Sequence, residues 1–174
     1  ANQVSAAVSH ARSFEKVRTA SLHDPLTGLA NRALLFTELE LLLARRHPLG
    51  VAVAFLDLDG FKQVNDTYGH GVGDSVIVAA GHRLVSILRE TDSVYRVGGD
   101  EFVVVCRDIT DEHASDAAEQ IASRIVDRLG APFRVEDALV SLGASVGVAL
   151  RTGEENATEL LRRADHLAES GLQP

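Results

Sequence analysis

Four carboxylates in two short segments carry the chemistry of this sequence. Asp57 and Asp59 end an apolar run, 51–56, and Asp100 and Glu101 follow Gly98-Gly99 between two further apolar runs, 93–97 and 102–106. Such runs read as strands, and Gly-Gly-Asp reads as the tight turn joining two of them. Asp100 and Glu101 then sit at a hairpin tip, where Gly98 and Gly99 let a ligand come close to the backbone. A turn alone needs no second acid, and a buried strand would exclude it. The run 51–56 is apolar at every position, as in a strand covered on both faces. Asp57 and Asp59 therefore lie where a core strand meets solvent and, two residues apart, point the same way. An isolated Asp-x-Asp is ordinarily a turn or a helix cap. Joined to the acids at 100 and 101, it makes a cage for Mg²⁺, which takes one or two carboxylates and completes its octahedron with substrate phosphates and water. Clustered acids repel one another, and a cation removes that difficulty.

Asn65, Asp66, His70 and Asp74 form a second set. Asn offers a donor and an acceptor, Asp a pair of acceptors, and together they suit the edge of a purine, guanine above all. Each also has a plainer role: Asp74 as a helix N-cap, Asn65 as a helix C-cap, His70 as a turn residue. Lys62 and Arg96 face either phosphate or solvent. The remaining histidines show no paired spacing, which argues against zinc. No Walker loop, G-x-G-x-x-G fingerprint or nucleophile elbow is present.

The elements that must position these groups follow from periodicity. The spacing predicts helices over 1–22, 31–46, 61–65, 74–89, 112–129 and 156–170, with a glycine-rich loop at 68–73 and Asp74 capping the helix after it. Strands are expected at 51–56, 93–97, 102–106 and 145–150, with a small edge hairpin over 133–142 turning at Glu136-Asp137. A hairpin at the centre excludes a purely parallel doubly wound sheet. The expected fold is α+β, a ferredoxin-like antiparallel sheet of about five strands flanked by helices.

Composition bounds the class. The 174 residues make one domain, and 45% hydrophobic content is ample for one core. Seventeen basic against 25 acidic residues give a net charge of -8, which argues against broad nucleic-acid binding and against docking on anionic lipid. The lone Cys106 excludes an internal disulfide, fits a reducing compartment, and lies in a core run. No run approaches the ~18 apolar residues of a membrane span, and no signal peptide is seen. The expectation is a cytoplasmic domain, any membrane anchor lying in another segment. The start at Ala1 predicts a piece of a longer protein.

Several ordered motifs resemble the GGDEF diguanylate cyclase family. Gly98-Gly99-Asp100-Glu101-Phe102 matches its signature. Asp24-Pro25-Leu26-Thr27-Gly28-Leu29-Ala30-Asn31-Arg32 is similar to its opening motif, and residues 55–66 with Gly69-His70 through Gly73-Asp74 are similar to its central one. The resemblance covers about residues 22–171. It implies a nucleotidyl-cyclase-like fold and condensation of two GTP into cyclic di-GMP with release of two pyrophosphates. It implies Mg²⁺ or Mn²⁺, two per half-site, held by Asp57, the Leu58 carbonyl and Asp100. Glu101 assists metal binding or proton removal, and the base is left open between Asp100 and Glu101. Asn65 and Asp74 read guanine, with Lys62, His70, Gly98 and Gly99 at the nucleotide. One domain binds one GTP, so two copies must face each other, and residues 1–22 become a lever from an upstream sensor. Arg89-Glu90-Thr91-Asp92 resembles the family's RxxD product-inhibition motif, Arg89 taking phosphate and Asp92 a guanine edge, where a helix-end salt bridge is the structural alternative.

The C-terminus departs from the pattern. Glu169 stands where the family has a Tyr, and Leu172 where it has a Lys that reaches the terminal phosphate. Losing one charge-assisted contact costs about 1.5–3 kcal/mol. The intact acids favour a working cyclase; the altered last helix favours a module that binds GTP or cyclic di-GMP as a receptor.

Overall fold

The computed structural model describes residues 22–44, 50–110 and 114–171. After a turn at 24–28, β1 (Ala30–Asn31) leads into α1 (Arg32–Ala44). β2 (Gly50–Asp59) is followed by α2 (Phe61–Tyr68) and α3 (His70–Ile87), then β3 (Ser93–Arg96) and β4 (Glu101–Ile109). α4 (Ala114–Gly130), β5 (Phe133–Val135), β6 (Ala138–Val140), β7 (Gly143–Leu150) and α5 (Ala157–Glu169) complete the chain. Five strands form one sheet in the order β1-β3-β4-β2-β7, and β5 and β6 form a separate two-stranded sheet. The large sheet is antiparallel except for β1, which runs parallel to β3. The expected α+β fold is therefore present, with a mixed sheet and one short strand that periodicity did not reveal. Two residues are too few to show an alternation.

β2 is the centre of the molecule, and its two faces are buried to different depths. Ala52, Ala54, Leu56 and Leu58 pack with Phe102, Val104 and Cys106 under α3 and α4. Val51 and Val53 pack with Tyr95, Val103 and Val105 under α1 and α5. The first face stays covered to its end, Leu58 being 1% exposed. On the second face Val53 is buried, Phe55 half-buried, and Asp57 and Asp59 exposed. The α1/α5 layer stops short of the strand's end, and the acids occupy the strip it leaves bare. α5 lies close to the sheet because Gly147 has no side chain: a Cβ there would come 2.1 Å from the Ala164 carbonyl oxygen and 2.2 Å from the Ala168 nitrogen. Asn156 caps α5 in a reciprocal capping box with Glu159.

Two expected boundaries change on either side of Gly69. The helix placed at 61–65 runs on to Tyr68. Residues 70–73, expected as loop, are the first turn of α3, so Asp74 lies inside the helix and Gly69 is its N-cap. Gly69 takes a left-handed φ of 86° at the junction of α2 and α3, whereas Gly73 serves close packing: a Cβ there would lie 1.9 Å from Asn65 Oδ1, so the Asn65 side chain keeps its place only beside a bare residue 73. The predicted helix over 1–22, but for Leu22, lies outside the described residues, as do residues 45–46 of the helix predicted over 31–46 and residues 112–113 of the helix predicted over 112–129.

Candidate functional site

The β2–β4 ladder brings the two acidic segments together. Asp57 stands directly opposite Glu101, and the Leu58 N–H donates to the Asp100 carbonyl at 3.4 Å. Asp100 and Glu101 are half-buried. The Asp57 carboxyl is raised above its ordinary value, first by partial burial and then by the negative charges of Asp100, Glu101 and Asp59. Three acids are thus close enough to Asp57 to disfavour its charge. Among the described residues, no three His, Cys, Asp or Glu side chains are arranged to hold an ion unaided. Two hard carboxylates beside a backbone carbonyl, in an excess of negative charge, fit Mg²⁺ or Mn²⁺, which draw their other oxygens from phosphate and water. Asp57, the Leu58 carbonyl and Asp100 are the residues that would hold it.

The turn that carries Asp100 is fixed from behind. The Val97 N–H donates to the Glu101 carbonyl at 3.1 Å, closing the turn. Arg96 is engaged within the protein. Its Nη1 donates to Asp24 Oδ1 at 2.8 Å and its Nη2 to the Gly99 carbonyl at 2.7 Å. Asp24 also accepts from the Thr27 N–H and hydroxyl at 2.9 and 2.7 Å. Burial pushes the Asp24 carboxyl up, but the bonds from Arg96 and Thr27 and the Arg96 charge outweigh it and hold it below the usual range. Arg96 therefore ties the opening motif to the acidic turn, a link between residues 72 positions apart that local spacing does not reveal. Gly98 makes room for its neighbour: a Cβ there would lie 2.1 Å from Glu101 Oε2.

The second set lies on α2 and α3. Lys62 and Asp66 are exposed on α2, and His70 and Asp74 are exposed on α3. Asn65 is half-buried against Gly73, the residue before Asp74. Asn65 is not a C-cap; that place is taken by Gly69, whose N–H donates to the Asn65 carbonyl. Nor is Asp74 an N-cap, so the plainer role for each is removed.

Arg89 and Asp92 close a turn rather than a salt bridge. The Arg89 N–H donates to Asp92 Oδ2 at 3.1 Å and the Asp92 N–H to the Arg89 carbonyl at 3.0 Å. The Arg107 N–H donates to Asp92 Oδ1 at 3.3 Å. The Arg89 side chain lines a small cleft of about 50 Å³ with Asp92, Gln120 and Arg124. At the C-terminus Glu169 is the exposed last residue of α5, and Leu172 lies outside the described residues.

A mixed five-stranded sheet, with acids at the end of an interior strand and on the neighbouring hairpin, is the arrangement of a nucleotide-cyclase type of domain. Residues 21–171 match the family model of the diguanylate cyclase GGDEF domain. The chain is 40% identical over 162 residues to the bifunctional diguanylate cyclase/cyclic di-GMP phosphodiesterase MucR of Pseudomonas aeruginosa, covering 91% of this chain and 23% of MucR. It is 37% identical over 161 residues to the diguanylate cyclase DgcN of Escherichia coli, covering 90% of this chain and 38% of DgcN. A structure of the coiled coil and GGDEF domain of DgcB from Caulobacter crescentus, in complex with c-di-GMP, matches with a TM-score of 0.80 at 26% identity, covering 97% of this chain and 90% of that one. The chain belongs to the GGDEF domain family of diguanylate cyclases. It spans well under half the length of these curated relatives. No helix among the described residues is long and apolar enough to cross a membrane.

Proposed function

We propose that this chain condenses two molecules of GTP into cyclic di-GMP with release of two pyrophosphates. The observation that carries the reading is the pairing of Asp57 with Glu101 across the β2–β4 ladder beside Asp100. Each copy binds one GTP. The ribose 3′-oxygen of one nucleotide attacks the α-phosphorus of the other, a new P–O bond forms, and the bond to pyrophosphate breaks. Bound Mg²⁺ or Mn²⁺ supplies charge neutralisation at phosphate and a lowered 3′-hydroxyl pKa. Asp57, the Leu58 carbonyl and Asp100 hold the cation, and Glu101 completes the acidic wall. An unassisted carboxylate, with a pKa near ~4, is a weak base for an alcohol, so Asp100 or Glu101 receives the proton only once the hydroxyl is acidified. Asn65 and Asp74 read the guanine edge, and Lys62, His70, Gly98 and Gly99 flank the nucleotide.

The product is two-fold symmetric, so the two half-sites must face each other as a homodimer, and their proximity is the switch. Residues 1–22 act as the lever from an upstream sensor. Product binds at Arg89 and Asp92 and restrains the enzyme. The altered C-terminus favours a second reading, because Glu169 stands where the family has a Tyr and Leu172 where it has a phosphate-reaching Lys: a receptor that binds GTP or cyclic di-GMP without turnover.

One experiment separates the two. The protein is incubated with GTP and Mg²⁺ at concentrations that allow dimers, and product is followed by chromatography. Cyclic di-GMP that disappears in Asp57→Ala and Asp100→Ala supports the cyclase. Nucleotide binding with no product supports the receptor. Arg89→Ala is expected to lose product binding and keep GTP binding; unchanged product affinity removes the inhibitory site.

A further inference from the structure

Asp59 has no role in the reading above, yet the fold fixes it twice. Ser145 stands directly opposite Asp57 in the β2–β7 pairing, but its hydroxyl donates diagonally, to Asp59 Oδ1 at 2.7 Å. Gly143, opposite Asp59 itself, leaves a notch for the other oxygen, since a Cβ there would lie 2.7 Å from Asp59 Oδ2. The φ of Gly143 lies outside the left-handed region, so backbone geometry does not require glycine at 143. A side chain there would instead displace the carboxylate from its present position.

The sheet order gives these contacts a direction. β4 and β7 flank β2 on opposite sides. Asp100 belongs to the β4 side, whereas Ser145 and Gly143 draw the Asp59 carboxylate toward β7. Asp57, about 7 Å back along the same face, is left without the Ser145 hydroxyl and is free to turn toward Asp100. We infer that Asp59, held off the ion by Ser145 and Gly143, is a positioning residue for the cation site. It supplies charge at one remove and leaves Asp57 to ligate. The inference rests on the cation reading of Asp57 and Asp100.

A charge one strand repeat from a metal ligand, acting across water, changes divalent-ion affinity by about tenfold. The test is Mn²⁺ binding, followed by electron paramagnetic resonance, to the whole chain with a GTP analogue whose α,β-bridge cannot be cleaved. Asp59→Asn keeps the size and the acceptor for Ser145 and removes the charge. It is expected to bind Mn²⁺ about tenfold more weakly. Ser145→Ala keeps the charge but removes the exposed charge-assisted bond that orients it, and is expected to weaken binding about threefold, less than loss of the charge itself. An unchanged Mn²⁺ affinity in Asp59→Asn overturns the assignment. Complete loss of binding, as expected for Asp57→Asn, also overturns it by making Asp59 a ligand. If Asp59→Asn fails to fold, Ser145→Ala decides, and unchanged affinity there overturns the assignment. Wild-type protein that binds no Mn²⁺ sinks the cation reading first and this inference with it, a result distinct from wild-type binding that Asp59→Asn leaves intact.

Discussion

Two hairpins in this chain carry paired acids at or beside their turns, and each is anchored by one arginine. In the β3–β4 hairpin, Asp100 and Glu101 lie beside the end of β2, and Arg96 ties the turn to Asp24. In the β5–β6 hairpin, Glu136 and Asp137 make the turn, Glu136 with a φ of 50°, but that hairpin is a sheet of its own with no third strand. Its arginine, Arg83, stacks over the Phe133 ring with its guanidinium 3.6 Å from the centroid and donates to the Arg128, Ala131 and Pro132 carbonyls. The local sequences are alike in kind. An acidic turn gains chemistry only where the sheet delivers a second acidic strand end to it, and an arginine clamp responds to pH only where its partner is a carboxylate.

Removing the acids is the most direct way to break this contrast. Asp57→Asn or Asp100→Asn is expected to lower cyclic di-GMP formation by about 10²–10³-fold, the range for loss of a group aimed at transition-state charge. Glu136→Gln and Asp137→Asn are expected to change it by less than about twofold, as exposed substitutions away from the site do. The measurement is initial rate at saturating GTP and Mg²⁺. Comparable losses from both hairpins would end the distinction.

The arginines come next. Arg83 satisfies carbonyls at the end of α4, groups a helix terminus leaves without intrahelical partners, and it carries the charge into each bond. Arg83→Ala is expected to cost about 2–3 kcal/mol, a fall in Tm of about 4–12 °C for a domain of this size, with the rate per folded molecule unchanged. Thermal melting and an activity titration against folded protein check both halves.

The contrast also marks what the sequence made legible. Asp57, Asp59, Asp100 and Glu101 stood out because acids directly bounding apolar runs have few structural uses, and the strands around them were readable from the same runs. The start of α3 was not readable. Gly69, Gly71 and Gly73 look like a loop by composition, yet Gly69 is a cap with a left-handed φ and Gly73 lies within the helix where Asn65 packs against it. Arg96–Asp24 and Ser145–Asp59 are contacts 72 and 86 positions apart, products of sheet order rather than of local pattern. β1 was hidden by its length and by its parallel pairing to β3, which no hairpin announces.

A pH titration sharpens the comparison of the clamps. Asp24 is held below its ordinary value of 3.8, so its pair with Arg96 contributes stability that is present above that value and is lost as pH falls through the lower, folded one. The side chains are 14% and 17% exposed, and a charge-assisted bond so placed is worth about 1.5–3 kcal/mol. An Arg96→Ala/Asp24→Ala double-mutant cycle at pH 7 is expected to return a coupling of that size, and the same cycle well below the ordinary carboxylate range a smaller one. Arg83 bonds only to carbonyls, so its contribution stays flat over that window. A coupling that persists undiminished in acid would mean that the pair does not depend on the Asp24 charge.

The smallest effect lies at the other end of the pH scale, inside the β3–β4 hairpin. Cys106 on β4 is buried, and burial, followed by the charge of Asp92, pushes its thiol up to about 12. The unfolded chain releases that proton near ~8.5. Above that pH the unfolded state loses a proton the folded state keeps, so stability falls with pH, by at most about 1.4 kcal/mol per pH unit for one group. Tyr95 on β3, also pushed to about 12, adds a second decline from its own ordinary value of 10.0. Between pH 9 and 10 the wild-type denaturation free energy is therefore expected to fall more steeply than that of Cys106→Ala, whatever the neutral-pH cost of that truncation. Parallel slopes would mean that the thiol reaches solvent through the cleft beside Asp92, and the core side of this hairpin would then be as open as its acidic tip.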